Sequence, residues 1–170
     1  EYERWYEVKH PCPELIGEAV YGLPEIFKND IASARIVANP GCYSTSVILG
    51  LAPAIKENLI NGEIIIDSKS GVSGSGRALS LSAHYSEVNE SVSAYSVQGH
   101  RHMPEIVQAF NSLNPHLPLR LTFIPHLIPM TRGILSTCYA SLLSPRLHHD
   151  SRDQQNIIRA YREFYKNAPF

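Results

Sequence analysis

Twice in this chain a stripe of apolar residues at helical spacing runs straight into a short strand-like segment. Ile48, Leu51, Ala52, Ile55 and Leu59 share one helical face, and Asn61-Gly62 ends the run. Glu63 to Asp67 then reads as a buried strand. Met103, Ile106, Val107, Phe110 and Leu113 form a second stripe, with Pro104 and Glu105 suited to a helix first turn. Leu119, Leu121 and Phe123 alternate with Arg120, Thr122 and Ile124, which predicts a strand over 119–124. Ser93 to Val97 and Ile134 to Leu143 are further strands, and Ile157, Ile158, Tyr161, Phe164 and Tyr165 mark a last helix. Such a mixture specifies an α/β (α+β) fold, a sheet of at least four strands covered by helices. Pro53 lies inside the first helix and is expected to kink or split it. Residues 68–77, SKSGVSGSGR, read as a loop, and 78–91 give no decided pattern. Residues 1–38 hold two short strand-like runs, Ala19 to Tyr21 and Arg35 to Ala38, with no convincing helix to partner them.

Composition narrows the function. Apolar residues are 44% and charged residues 18%, which excludes a disordered chain. A net charge of −1 implies no nucleic-acid partner. The longest apolar runs, such as Ile64-Ile65-Ile66, are too short to cross a membrane, and the opening Glu1-Tyr2-Glu3-Arg4 is not a signal peptide. Cys12, Cys42 and Cys138 have no paired spacing, so neither a disulfide framework nor a C-x-x-C zinc site is expected, and the default is a reduced, cytoplasmic protein. The chain opens on Glu1 rather than Met and is expected to be a piece of something longer.

Cys42 carries the strongest chemical signal. It sits in Asn39-Pro40-Gly41-Cys42-Tyr43-Ser44-Thr45, after a strand and before a helix, where unpaired N–H groups and the helix dipole favour a thiolate. Those N–H groups also suit an oxyanion on a carbonyl bound to the sulfur. The plainer reading is a small buried cysteine that happens to precede a helix. Cys138 lies in mid-strand and reads as core; Cys12 lies between two prolines with no activator. His100-Arg101-His102 leads into the Met103 helix. His100 fits an acid–base partner of Cys42, the H-x-H spacing also fits a metal, and His102 could merely cap the helix. Arg101 and the lack of an acidic cluster oppose the metal, so no metal is expected. Gly71 to Arg77 is rich in glycine but is neither a P-loop nor a dinucleotide fingerprint. Arg77 at its end suits a carboxylate or phosphate. His126, Arg132 and the His148-His149 pair, expected on the surface, complete the polar inventory.

Five stretches together resemble the N-acetyl-γ-glutamyl-phosphate reductase family: AVYGLPE at 19–25, ANPGCYST at 38–45, DSKSGVSGSGR at 67–77, GHRHMPEI at 99–106 and PHLIPMTRGILSTCY at 125–139. The resemblance implies a fold similar to the C-terminal domain of glyceraldehyde-3-phosphate dehydrogenase and to aspartate-semialdehyde dehydrogenase. It implies that residues 1–38 are the tail of an NAD(P)-binding domain and that 39–170 form the catalytic and dimerisation domain. Cys42 matches the family's catalytic cysteine and His100 its histidine. Where the family's motif reads Cys-Tyr-Pro-Thr, this chain has Ser44. The implied reaction is NADPH-dependent reduction of N-acetyl-glutamyl 5-phosphate to the semialdehyde through a Cys42 thioester, in arginine biosynthesis. Arg77, Arg132, Asn39 and Ser73 are the expected substrate contacts, with Gly71 and Gly74 as lesser cofactor contacts, since the main nucleotide turn is expected to precede residue 1. Partners expected are a small acyl phosphate and further copies of the chain, as a dimer or tetramer. Alternatives are a related semialdehyde dehydrogenase, a Cys–His hydrolase or acyltransferase, or an inactive dimerisation module.

Overall fold

The computed structural model describes residues 2–143 and 151–170. The order is α1 (Tyr2–Tyr6), β1 (Ala19–Tyr21), α2 (Pro24–Ser33), β2 (Ile36–Ala38), α3 (Cys42–Lys56), β3 (Ile60–Ser70), α4 (Tyr85–Val88), β4 (Ser93–Ala94), α5 (Met103–Leu113), β5 (Arg120–Leu127), β6 (Ile134–Leu142) and α6 (Ser151–Phe164). Among the described residues there are two sheets. β1 and β2 pair in parallel across α2. The larger sheet runs β4-β5-β3-β6, with β3 parallel to β5 and the other two pairings antiparallel. The mixed sheet and its helical cover are as the sequence predicts.

The core sits on one face of the larger sheet. Val47, Ile48, Leu51 and Ile55 of α3 meet Ile64 and Ile66 of β3, Phe123 of β5, and Ile106 and Phe110 of α5, all buried. Burial at this scale, about 25 cal/mol per Å² of apolar surface, is the main force holding α3 on the sheet. Strand alternation leaves the other face open. There Ile65 (54% exposed) stands opposite Tyr139 (58%), with Leu135 (65%) nearby.

Several elements differ from the sequence reading, each for a physical reason. The run at 19–38 does contain a helix, α2; its pattern is masked because Phe27 adopts non-helical angles (φ −111°, ψ 28°). The first long helix ends at Lys56, before Asn61-Gly62. Those two residues lie in β3, at its register shift between Ile60 and Ile64. Gly62 has φ +84°, and a Cβ there would sit 2.5 Å from the Pro118 carbonyl oxygen, so the position requires glycine. β3 runs on to Ser70, through residues read as loop, because strands flank it on both sides: Ser68 pairs with Pro125 and with Ser136. The buried Ser68 hydroxyl is satisfied by Ser136 Oγ at 2.7 Å. β4 is shorter than expected, ending at Ala94, and Ser96 (φ 47°) turns the chain away. The His148-His149 pair lies outside the described residues. No described helix is long and apolar enough to cross a membrane.

Pro53 does not split α3, which is assigned as one unbroken helix from Cys42 to Lys56. A proline has no N–H for the carbonyl four residues back, which is that of Leu49. Tyr165 Oη donates to that oxygen at 2.5 Å, and Tyr161 Oη donates to the Gly50 carbonyl at 2.8 Å. The C-terminal segment thus supplies the hydrogen bond that proline removes. Tyr165→Phe is expected to cost about 1 kcal/mol in urea denaturation, the cost of losing the hydrogen bond to a half-buried acceptor. An unchanged midpoint would mean that water takes over the Leu49 carbonyl.

Candidate functional site

The site forms where the two sheets meet. β2 ends at Ala38, Asn39-Pro40-Gly41 make the turn, and α3 begins at Cys42, whose thiol is free and exposed. Pro40 holds Asn39 in an extended backbone, which ends the strand cleanly. Gly41 is required for close approach: a Cβ there would lie 2.4 Å from His102 Nε2. The His102 ring therefore rests on the peptide just before Cys42. His102 is 8% exposed, and its Nδ1 is buried without a hydrogen-bond partner.

His100 is held differently. Its Nδ1 accepts the His102 backbone N–H at 3.1 Å, which assigns the proton of the neutral ring to Nε2. Tyr43, Phe123 and Tyr95 surround the ring edge-on, with centroids at 5.6, 5.4 and 6.0 Å, and His102 stands at 4.7 Å. Burial, followed by the charges of His102 and Arg101, holds the His100 pKa down at about 4. His102 is also lowered, by burial first, with Glu105 acting in opposition. Near neutral pH His100 is thus a neutral imidazole that offers an Nε2–H. No hydrogen bond among the described residues joins Cys42 to either imidazole. The link runs through Tyr43, the residue after Cys42, which touches both rings. Its hydroxyl accepts from Tyr95 Oη at 2.8 Å and donates to the His126 carbonyl at 3.4 Å. Burial raises the Tyr43 pKa, and the charge of Cys42 adds to that.

Glu105 is a site residue that sequence reasoning placed only as a first-turn acid. Its Oε1 accepts from the Gly41 N–H at 2.8 Å and from Tyr21 Oη at 2.7 Å; its Oε2 accepts from Ser44 Oγ at 2.7 Å. The signal lay in its spacing: Glu105 stands three residues after His102, on the same helical face. Ser44, the departure from the family motif, is fully buried beside it.

The glycine loop makes the other rim. The N–H groups of Gly71, Val72 and Ser73 donate to the carbonyls of Gly133, Met130 and Thr131, and that of Gly74 to Gly71. Gly71 and Gly74 therefore have no free amide for a phosphate, contrary to the expectation for them as cofactor contacts. Gly71 is instead needed because a Cβ would lie 2.8 Å from Arg132 N. Arg77, Ser73 and Arg132 are exposed. Arg77 and Ser73 line a groove of about 950 Å³ with Leu81, His84, Tyr85 and Met130, whereas Asn39 lines a separate cleft of about 1170 Å³ with Gly41, His102 and Glu105. The four expected substrate contacts therefore do not converge on one surface. Cys138 is half-buried in β6, and burial alone pushes its thiol up to about 11. His126 Nδ1 lies 3.1 Å from Asp67 Oδ1, and Asp67 also contacts Lys69.

The semialdehyde dehydrogenase dimerisation domain family matches residues 42–170, so its match begins at Cys42. The chain belongs to that family. Proteins similar to this chain include N-acetyl-gamma-glutamyl-phosphate reductases from Dehalococcoides mccartyi (53% identical, 99% of this chain, 48% of that protein) and Pelotomaculum thermopropionicum (51%, 99% and 47%). The chain spans about half the length of these curated relatives. Its fold is shared with aspartate semialdehyde dehydrogenase II from Vibrio cholerae (TM-score 0.60, 13% identity, 85% of this chain, 49% of that one). It is also shared with the Candida albicans enzyme solved with NADP (TM-score 0.56, 9%, 86% and 45%).

The histidine geometry has a stability signature. A folded pKa of about 4 lies below the ordinary 6.5, so the unfolded chain takes up protons that the folded one refuses. The stability that the uncharged His100 contributes should be fully present above pH 6.5 and be lost as the pH falls toward 4, with His102 contributing in the same direction. Urea midpoints across this window should decline less in His100→Gln than in the parent chain. Parallel declines would show that His100 is not the group responsible.

Proposed function

We propose that this chain is the catalytic and dimerisation half of an NADPH-dependent N-acetyl-γ-glutamyl-phosphate reductase of arginine biosynthesis, working in the cytoplasm. The observation that carries the reading is an exposed thiol at the first position of a buried helix, one residue from the ring that touches both imidazoles. About 50% identity to reductases along nearly the whole chain supports the substrate class. Residues 1–38 are then the end of the nucleotide-binding domain, a role that suits a β–α–β unit with parallel strands.

In this reading Cys42 attacks the acyl phosphate carbon, its sulfur forms the thioester bond, and the carbon–oxygen bond to phosphate breaks. The N-terminus of α3 stabilises the negative charge on the attacking sulfur. His100 donates its Nε2–H to the carbonyl oxygen as charge gathers there. Since Nε2 carries the proton in this tautomer, donation is its first role, and accepting the thiol proton requires Nε2 to be vacated beforehand. Collapse of the reduced adduct releases the aldehyde and regenerates the Cys42 thiolate. A nicotinamide cofactor, when bound, supplies the hydride. The cleft at the C-terminal ends of β1 and β2, lined by Tyr21, Asn39, Gly41 and His102, would hold its ring beside Cys42, since ligands of parallel sheets bind at that end of the strands. The Gly71–Gly74 loop does not fit its phosphates, as its amides are committed. Arg77 and Arg132 remain the proposed anion contacts on the far rim.

The domain's function includes self-association. The uncovered sheet face with Ile65, Leu135 and Tyr139 is the surface proposed to meet a second copy.

In the full-length enzyme, Cys42→Ala should lower acyl phosphate turnover by at least about 10³-fold while Cys12→Ala and Cys138→Ala do not. Acyl phosphate added without cofactor should leave an acyl mass on the peptide that contains Cys42. Turnover surviving Cys42→Ala would end the assignment. Separately, Ile65→Asp with Tyr139→Asp should convert the dimer to a monomer in light scattering, and an unshifted mass would exclude this face.

A further inference from the structure

We propose that Glu105 is the positioning residue for the nucleophile: its carboxylate fixes the turn that presents Cys42 and ties it to the helix that carries His102. The inference rests on the reading of Cys42 as nucleophile. Helix N-termini leave backbone N–H groups without partners, and Gly41, the residue capping α3, has no capping side chain of its own. Glu105 supplies what is missing from another helix. It accepts from Gly41, just before Cys42, and from Ser44, two residues after it. One carboxylate thus brackets the cysteine. A third bond, from Tyr21 at the end of β1, joins the small sheet to the same point.

Glu105 is available for this because of the neighbouring histidines. It occupies the third position of α5, where an acid commonly folds back on the N–H of its own cap residue. Here the cap residue is His102, and its N–H is already bonded to His100 Nδ1. The carboxylate is therefore free to reach across to α3. The His102 ring also lies close against Gly41. Gly41 is thus contacted by two side chains, those of the cap residue and the first turn of α5, which couples Cys42 to the histidine segment.

The charge of Glu105 does not serve this purpose. A negative group at the start of α3 opposes a Cys42 thiolate, so its contribution is geometry rather than activation. Glutamine can keep all three contacts: its Oε1 accepts from Gly41 and Tyr21, and its amide nitrogen donates to Ser44 Oγ.

The test uses the full-length enzyme and reads two quantities: kcat and KM for the acyl phosphate, and the iodoacetamide alkylation rate of Cys42 against pH. Glu105→Ala should lower kcat by roughly 10²-fold with little change in KM, the cost of a displaced nucleophile. Glu105→Gln should recover most of that kcat and alkylate Cys42 faster than the parent at pH 7, because a nearby negative charge is gone. If Glu105→Ala does not fold, judged by near-UV circular dichroism, the Tyr21→Phe/Ser44→Ala pair replaces it with the same direction of change. A Glu105→Gln variant as impaired as Glu105→Ala would show that the charge itself is needed and would overturn the proposal, as would an unaffected kcat in the alanine or paired variant. The alkylation profile does not depend on the reaction catalysed, so a failed reductase assignment and a failed clamp give different results.

Discussion

The placement of α3 governs the rest of this molecule. Its residues are apolar on nearly every side, and it is packed between the larger sheet and α5 with its N-terminus aimed at the junction of the two sheets. A helix buried this way has little freedom to slide, because each shift would open voids along its length. What remains to be fixed is the single turn at its start. The Gly41 contact with His102 and the Glu105 hydrogen bonds fix that turn from two directions. Bulk packing places the helix, and a few polar contacts fix the turn at its start.

The histidine pair shows how a short loop sets the state of its own side chains through its own hydrogen bonds. The bond from His102 N–H to His100 Nδ1 selects a tautomer, and the aromatic rings around His100 keep it uncharged near neutral pH. His102, the residue that caps α5, has a buried nitrogen with no hydrogen-bond partner among the described residues. The two imidazoles, two residues apart, thus have different environments and different chemical capacities.

Much of this was legible in the sequence, for local reasons. The stripes at 48–59 and 103–113 and the alternation at 119–124 are periodic, so helices and strands could be read from them. Cys42 stood out because a strand, a Pro-Gly turn and a helix occur in immediate succession. What stayed hidden depends on distant partners. Ser68 to Ser70 look like loop until strands flank them on both sides. Glu105 looks like an ordinary helix-start acid because its donors lie 61, 64 and 84 residues away. The loop from Gly71 to Arg77 gave no sign in sequence of where its amides go; those of Gly71, Val72 and Ser73 are bonded to carbonyls of residues 130–133, and that of Gly74 to Gly71.

The mid-helix proline has a consequence for how the chain is made. The Leu49 carbonyl that Pro53 leaves open is closed by Tyr165, 116 residues further along. A ribosome releases Leu49 long before it releases Tyr165, at some 5–20 residues per second. For several seconds the nascent helix must leave that oxygen to water, and so must the neighbouring surface on which Tyr161 will settle. The helix that begins at Cys42 is therefore completed only after a segment more than a hundred residues further along has emerged. A product cut short before Tyr165 would lack the group that closes this carbonyl, which makes it a poor mimic of the fold.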